Sequence, residues 1–503
     1  MEYSEEKVKE LVDKNWYIQG FNAAPLLIEF APHGAVEKMR EFLGFGYSEI
    51  ITSFKNDFCE FYYSKNDLDN LYEKLLDNHK KDSDYVSNLI IQSEEQYAEI
   101  EKFLTELRKQ NKKEMSDEEL INKLAKLLDY YILPAAIPHI VEGFSLNSDI
   151  EIKNILHTLL VEKGREKEFA KTVTKLTMPI EKSFLAKAEK DLESIKELLF
   201  NVDEEKQSDL EFLKNNQQEI YSKIKKHSED YYWINASYAE APENSEEKVL
   251  KQVIQKFKEK AKHESSIDKI KPEEKKEIIN DLEIDGRLLT LIQLSEILTT
   301  WQDNRKKMIL KCVTNVDNLL KELSTRINIP QEDLRYLTYE EITSEKIKTI
   351  TKETLQARKK GCIYVYTPEQ KYTFYNEDFN YFNNLLNEKE NHEQIKEIPG
   401  LCASIGRAIG RVKICKSLDS INEFEEGEIL VTSMTRPEYL PAMKKAAAIV
   451  TDEGGITCHA AIISREIGKP CLIATKNATK ILKDGDLVEV KANHGMINII
   501  EKA

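Results

Sequence analysis

One histidine in this sequence sits where it could do chemistry. His459 follows the pair Gly454-Gly455 and opens the apolar run Ala460, Ala461, Ile462 and Ile463, which Gly468 and Pro470 bring to an end. Glycine permits positive φ and close backbone approach. Thr457, next to Cys458, stands where a helix N-cap would stand, and glycine followed by proline stops a helix. Residues 449–474 therefore read as strand, glycine turn, histidine, helix, stop and strand. That order sets one imidazole beside the unpaired N–H groups at the positive end of a helix, a position that binds phosphate. The same field disfavours the imidazolium form and keeps the ring neutral near pH 7. A neutral imidazole can attack a phosphoryl group while the N–H groups hold its oxygens. A lone histidine satisfied in a core turn is the bland alternative, and the surrounding pattern has to decide.

Three other residues invite a chemical reading. The run 132–143 is apolar but holds Pro134, Pro138 and His139. A proline-broken apolar segment among helices can line a cavity, which would make His139 a substrate ligand or an acid/base, against the commoner satisfied core histidine. Residues 301–307 read as a basic turn after an apolar helical face, and Arg305 and Lys306 could clamp a transferring phosphoryl group. The ordinary reading of such a cluster is a solvated helix end. The aromatic run 231–238 reads as a helix packed in the core, with the wall of an apolar pocket as the functional alternative. His33, after Pro32, reads as a turn residue with a structural role. No metal site is indicated, because the seven cysteines form no CxxC pair.

The chain of 503 residues is too long for one core. Its net charge of −16 argues against a general nucleic-acid or anionic-membrane binder. The acidic N-terminus does not resemble a signal peptide, and no apolar run reads as a membrane span, so a cytoplasmic location is expected. Nine of the 17 glycines lie from Gly400 onward, and the glycine-poor remainder is rich in Glu, Lys and Leu, as helices are. The expected fold is α+β: a large mainly helical N-terminal region with a small sheet, then a C-terminal α/β domain. The expected units are 1–80, a mixed α/β segment packed on the helices; 81–386, a mainly helical substrate-binding domain; 387–399, a polar linker or hinge; and 400–503.

Within the first unit, 16–22, 26–30 and 58–63 read as strands, and 6–14 and 35–43 as helices. Two strands in 362–375, around a Thr-Pro-Glu-Gln-Lys turn, are expected to join them in one sheet. Ser116 followed by Glu119 reads as a capping box. In the last unit the strand candidates are 408–415, 428–434, 447–451, 471–474, 487–490 and 496–500, with a helix over 434–445.

The run GGITCHAAIISREIGKPCLI closely resembles the phosphohistidine motif of the PEP-utilising enzyme mobile domain. That is the swivelling domain of phosphoenolpyruvate synthase, pyruvate phosphate dikinase and rifampicin phosphotransferase. The likeness extends upstream through ILVTSMTRPEYLPAMKKAAAIVTDEGG, begins near residues 403–408 and covers about the last hundred residues. It implies that His459 is phosphorylated, with Gly454, Gly455, Thr457 and Cys458 as the supporting motif. The chain contains no GxxxxGK[ST] loop, no GxGxxG between strand and helix and no recognisable ATP-grasp sequence. Its layout resembles rifampicin phosphotransferase without the N-terminal ATP-grasp domain, although the helical part carries only weak likeness at 232–234, 303–306 and 337–342. The resemblance thus implies a phosphotransferase that binds no cofactor alone. A separate ATP-grasp partner holding ATP and Mg would charge it, and a small-molecule acceptor would receive the phosphate. Activation of a hydroxyl for elimination is a related reading. A phosphohistidine relay or regulatory protein binding a protein partner is the alternative of another class.

Overall fold

The computed structural model describes residues 5–177, 180–258, 272–387, 397–416, 418–455 and 458–503. Two sheets organise it. The first is antiparallel and five-stranded: β1 (Trp16–Asn22), β2 (Ile50–Lys55), β3 (Phe58–Ser64), β4 (Cys362–Tyr366) and β5 (Lys371–Tyr375), in the order β1-β3-β2-β4-β5. Asn56 and Asp57, both at positive φ, make the two-residue turn between β2 and β3, a conformation these residue types tolerate. The hairpin 362–375 joins the N-terminal strands as expected, through β2, which the sequence reading passed over. Buried Ile50, Ile51 and Phe54 on β2 and the wholly buried β4 provide the reason for that pairing.

Residues 26–30 are not a strand. Pro25 opens a short helix, Pro25–Ile28, and Pro32 lies in the next, Phe30–His33. Proline in the first turn of a helix has no hydrogen bond to lose. His33 accordingly ends a buried helix and is not in a turn.

The helical body is built on one helix of 42 residues, Gly286–Ile327, about 63 Å long at 1.5 Å per residue. It contains no glycine or proline after Gly286 and ends at Asn328 in the left-handed region. Residues 301–307, expected as a turn, are therefore mid-helix. Helix Asp117–Ile132 is capped by Ser116, whose hydroxyl accepts from the Glu119 N–H. Two single-turn 3₁₀ segments, Leu133–Ala135 and Ile137–His139, break the apolar run at its prolines before helix Ile140–Glu162. By length and composition the stretch 117–162 could cross a membrane, contrary to the sequence expectation, but 72% of its most apolar window is buried inside this fold. Residues 231–238 form turns where a helix was expected. The Ser237 hydroxyl accepts from the N–H groups of Ala239 and Glu240, and such local bonds compete with helix.

The second sheet has eight strands: β6 (Glu397–Pro399), β7 (Leu401–Ser404), β8 (Arg407–Ile414), β9 (Ile429–Thr432), β10 (Ala448–Thr451), β11 (Cys471–Ile473), β12 (Leu487–Lys491) and β13 (Met496–Glu501). Their order is β6-β13-β12-β8-β9-β10-β11-β7, with β8 through β11 parallel. The two strands that end this order are joined by Gly400 alone, so the sheet curls until its edges meet there. A side chain at Gly400 would lie 2.8 Å from Thr475 Cγ2. Of the polar run 387–399, Asn387 ends a helix and 397–399 form β6; residues 388–396 lie outside the described residues. Val412, Ile429, Val431, Val450, Leu472 and Val488 fill one core of this sheet. Ala460, Ala461, Ile462 and Ile463 instead join the large core of the helical body. The His459 helix is thus the surface by which the two parts meet.

Candidate phosphoryl-carrier site

The helix His459–Ile467 follows β10 after a seven-residue loop. Gly454 holds φ 113° in that loop, and a Cβ there would lie 2.6 Å from Cys458 Sγ. A Cβ on Gly455 would lie 2.4 Å from the Ser145 carbonyl oxygen, so this glycine lets the loop press against helix Ile140–Glu162. The N-cap is Cys458, not Thr457: its Sγ accepts from the Ala461 N–H at 3.4 Å, and Thr457 lies outside the described residues. Gly468, in the left-handed region, closes the helix.

His459 opens on a cavity of about 220 Å³ between the two parts of the chain. Each wall shows its own periodicity. Tyr17, Gln19 and Phe21 from β1 face it beside Phe61 and Tyr63 from β3, one side of a pleated pair whose register sets Tyr17 against Tyr63 and Gln19 against Phe61. The long helix contributes Gln302, Arg305, Lys306 and Ile309, a stripe at helical spacing. The sequence candidates His139, Arg305, Lys306, Gly454, Gly455, Cys458 and His459 are brought together on this one cavity.

Their partners distinguish them. His459 Nδ1 lies 2.7 Å from Thr435 Oγ1, while Nε2 has no hydrogen-bond partner among the described residues. Burial, then Lys306 and Arg436, push the His459 pKa down to about 3, so the ring is neutral. Arg305 is held by the Glu142 carboxylate and donates to the Pro138 carbonyl at 3.2 Å. Burial opposes ionisation of Glu142, but Arg305 outweighs it and keeps the carboxyl below its ordinary range. Lys306 has a neutral partner: its Nζ donates to the Tyr238 hydroxyl at 2.8 Å and lies 4.2 Å from the centre of that ring. Of the two cations expected to clamp phosphate, Arg305 is ion-paired with Glu142, and Lys306 makes no ion pair among the described residues. His139 is buried, with Nε2 3.0 Å from the Tyr63 hydroxyl, and burial pushes its pKa down to about 4.

Sequence reading missed Thr435, Arg436, Glu453, Tyr17, Tyr63 and Glu142. The first three lie inside the stretch that resembles the mobile domain, where their polar types amid strands and turns were the available signal. The other three reach the cavity only through the fold. Arg436, buried, donates to the Asn22 carbonyl at 2.9 Å and so ties the second sheet's domain to β1. Away from the cavity, Glu29, His33 and Glu340 bring ligand atoms within 4.8 Å of one another, a spacing a metal could use. The Lys371 amino group already bridges Glu29 and Glu340. Burial opposes protonation of His33, but Glu29 and Glu37 outweigh it and raise its pKa to about 9, and a protonated imidazole is no ligand.

Comparison with known proteins places the likeness in the C-terminal part. The probable phosphoenolpyruvate synthase of Archaeoglobus fulgidus is 53% identical over 116 residues, 22% of this chain and 15% of that one. The phosphoenolpyruvate synthase of Pyrococcus furiosus is 51% identical over 112 residues, 22% of this chain and 14% of that one. That of Deinococcus radiodurans is 49% identical over 96 residues, 18% and 12% of the two chains. The aligned region spans no more than about 15% of the length of these relatives. Residues 424–495, which carry His459 and Thr435, match the family described as PEP-utilising enzyme, mobile domain.

Proposed function

We propose that this chain is a phosphotransferase component in which His459 carries a phosphoryl group and passes it to a small molecule bound in the cavity between the two parts of the chain. The observation that carries this reading is a neutral His459 on the lining of that cavity, its Nδ1 engaged by Thr435 and its Nε2 without a hydrogen-bond partner among the described residues. With its proton on Nδ1 and shared with Thr435, the ring keeps the Nε2 lone pair for phosphorus. Lys306, whose partner is a neutral hydroxyl, supplies charge for the phosphoryl oxygens. Gly454 and Gly455 let the loop come close, and Cys458 caps the helix that aims the ring.

The match to the mobile domain family and the likeness to phosphoenolpyruvate synthases support a phosphohistidine carrier. A separate ATP-grasp protein, holding ATP and Mg, would charge His459 after the C-terminal domain swings out on the linker that precedes it. The concave, largely apolar cavity favours a small-molecule acceptor over a relay to a protein partner. Phosphoramidate, a small donor that needs no partner protein, tests the carrier directly. It should place acid-labile, base-stable phosphate on the wild-type chain and none at this position in His459→Ala. Equal labelling of the two proteins would overturn the reading.

A further inference from the structure

We propose that Tyr63 and His139 form the proton-accepting pair for this transfer, and that the acceptor is a neutral alcohol on a largely apolar, ring-sized body. The proposal rests on the phosphohistidine reading and concerns the opposite wall of the same cavity.

The acceptor class follows from the lining. Phe21, Phe30, Phe61, Phe184, Ile309 and Ile462 all face the cavity, and apolar walls with a few placed polar groups select apolar molecules.

The proton path follows from bonding. Both Tyr63 and His139 are 4% exposed, and the Tyr63 hydroxyl lies 3.0 Å from His139 Nε2. The ring of His139 is neutral, so Nε2 can accept from that hydroxyl in the tautomer that keeps its proton on Nδ1. Glu142 stands one helical turn on and Arg305 beside it, while Tyr47 packs edge-on against the imidazole and donates to the His139 carbonyl. Tyr63, Tyr47, Glu142 and Arg305 are thus the titratable and charged groups around His139, and the Glu142 carboxylate favours the imidazolium that would form. Tyr63 is the cross-strand partner of Tyr17, whose hydroxyl lies 3.5 Å from the Gly454 nitrogen in the loop that carries His459. Proton acceptor and phosphoryl carrier therefore face one space. Burial and then Asp452 raise the Glu453 carboxyl well above its ordinary range.

The step balances. The acceptor oxygen gives its proton to the Tyr63 oxygen as the Tyr63 proton passes to His139 Nε2. That oxygen bonds to phosphorus while the P–Nε2 bond breaks, its electron pair returning to His459, which leaves as neutral imidazole with Nδ1–H in place. His139 later loses its extra proton to water.

The test uses the full chain labelled at His459 by phosphoramidate, with benzyl alcohol, 4-nitrophenol and glycerol as acceptors. Failure to label would sink the carrier reading and this proposal with it; labelling without the pattern below sinks this proposal alone. The wild type should form benzyl phosphate faster than glycerol phosphate, at a rate flat with pH over about pH 6–9. Tyr63→Phe and His139→Gln should each slow benzyl phosphate formation about a hundredfold and make it rise with pH, as solvent base takes over. Both should leave labelling intact and transfer to 4-nitrophenol, already ionised at about pH 8, within about threefold of wild type, since an ionised acceptor needs no base. Equal slowing with both aromatic acceptors would mean a structural role for the pair. Unchanged benzyl phosphate formation in the variants, no transfer to benzyl alcohol in the wild type, or preference for glycerol would each overturn the proposal.

Discussion

Thr435, in the loop after β9, and His459, the first residue of its helix, meet through their side chains at 2.7 Å. The contact fixes which ring nitrogen is free. Thr435→Val keeps the shape and removes the hydroxyl, so both tautomers become available and the ring can turn. Losing one such hydrogen bond costs about 1 kcal/mol, or about a fivefold to tenfold fall in labelling rate by phosphoramidate. The phosphate should then be distributed over both nitrogens, read by ³¹P chemical shift. A wild-type rate and a single phosphorylated nitrogen in the variant would remove the tautomer argument.

The pKa of His459 is depressed, so its neutral form persists as pH falls. Labelling of the docked wild type should therefore stay flat down to about pH 5, where an ordinary imidazole would already be protonated. Lys306 and Arg436 contribute to the depression after burial. A drop in labelling centred near the ordinary histidine pKa would show that the ring reacts from an open, solvated position.

Two carboxyls meet across the seam between the parts. Glu466, on the His459 helix, lies 3.4 Å from the Ser183 hydroxyl, and Asp303 accepts from the neighbouring Phe184 N–H at 2.9 Å. Burial raises Asp303 to about 6; burial and then Asp303 raise Glu466 to about 7. Lys182, Lys187, Lys307 and Glu181 are the other charges near them. Raised carboxyl pKa values mean the docked state binds more protons than the open one, so docking is favoured at low pH and weakens as pH rises through about 6 to 7. Small-angle scattering should show a larger radius of gyration at about pH 8 than at about pH 5.5, and Glu466→Gln should flatten the difference. An unchanged radius would indicate that the seam does not open.

Much of the C-terminal fold was legible because its glycines and its alternating apolar runs report local geometry directly. Gly454, Gly455 and Gly468 each occupy a position that their sequence context announced. The cap did not follow the same logic: threonine is the better N-cap by type, yet Cys458 holds the place. β6 and β7 were missed because each has three or four residues and pairs with strands distant in sequence. Residues 301–307 misled because a cluster of polar residues resembles a helix end, while the absence of glycine and proline was the stronger signal. No local pattern could have placed Tyr63 against His139, 76 residues away.

Gly455 should be a residue of the docking seam that is highly sensitive to a single methyl group. Its Cβ would meet the Ser145 carbonyl at 2.4 Å, and backbone cannot step aside as a flexible side chain can. Gly455→Ala should leave the melting of each part nearly unchanged and shift the scattering profile toward the open form. If the variant scatters as the wild type does, the loop has slack that the docked geometry does not reveal.

The last prediction separates the two cations of the long helix. Arg305 and Lys306 are adjacent, both face the cavity, and sequence alone gave them one role. Arg305 is bound to Glu142 at the centre of the His139 wall, and removing one member of such a pair strands the other charge. Arg305→Met should therefore lower stability by about 3 kcal/mol, with Tm falling before transfer can be assigned any specific defect. Lys306 donates to Tyr238 and leaves no carboxylate behind. Lys306→Met should melt close to the wild type, because its stem can still cover the Tyr238 ring. It should nevertheless slow passage of phosphate from His459 to an acceptor by about a hundredfold, the scale of losing one preorganised charge at a developing oxyanion. It should also raise the His459 pKa, since Lys306 is the first charge acting on that ring after burial. Thermal melts, transfer rates and a histidine NMR titration on the two variants read these effects separately. Equal destabilisation of both, with transfer lost in proportion to unfolded protein, would reduce Lys306 to a packing residue.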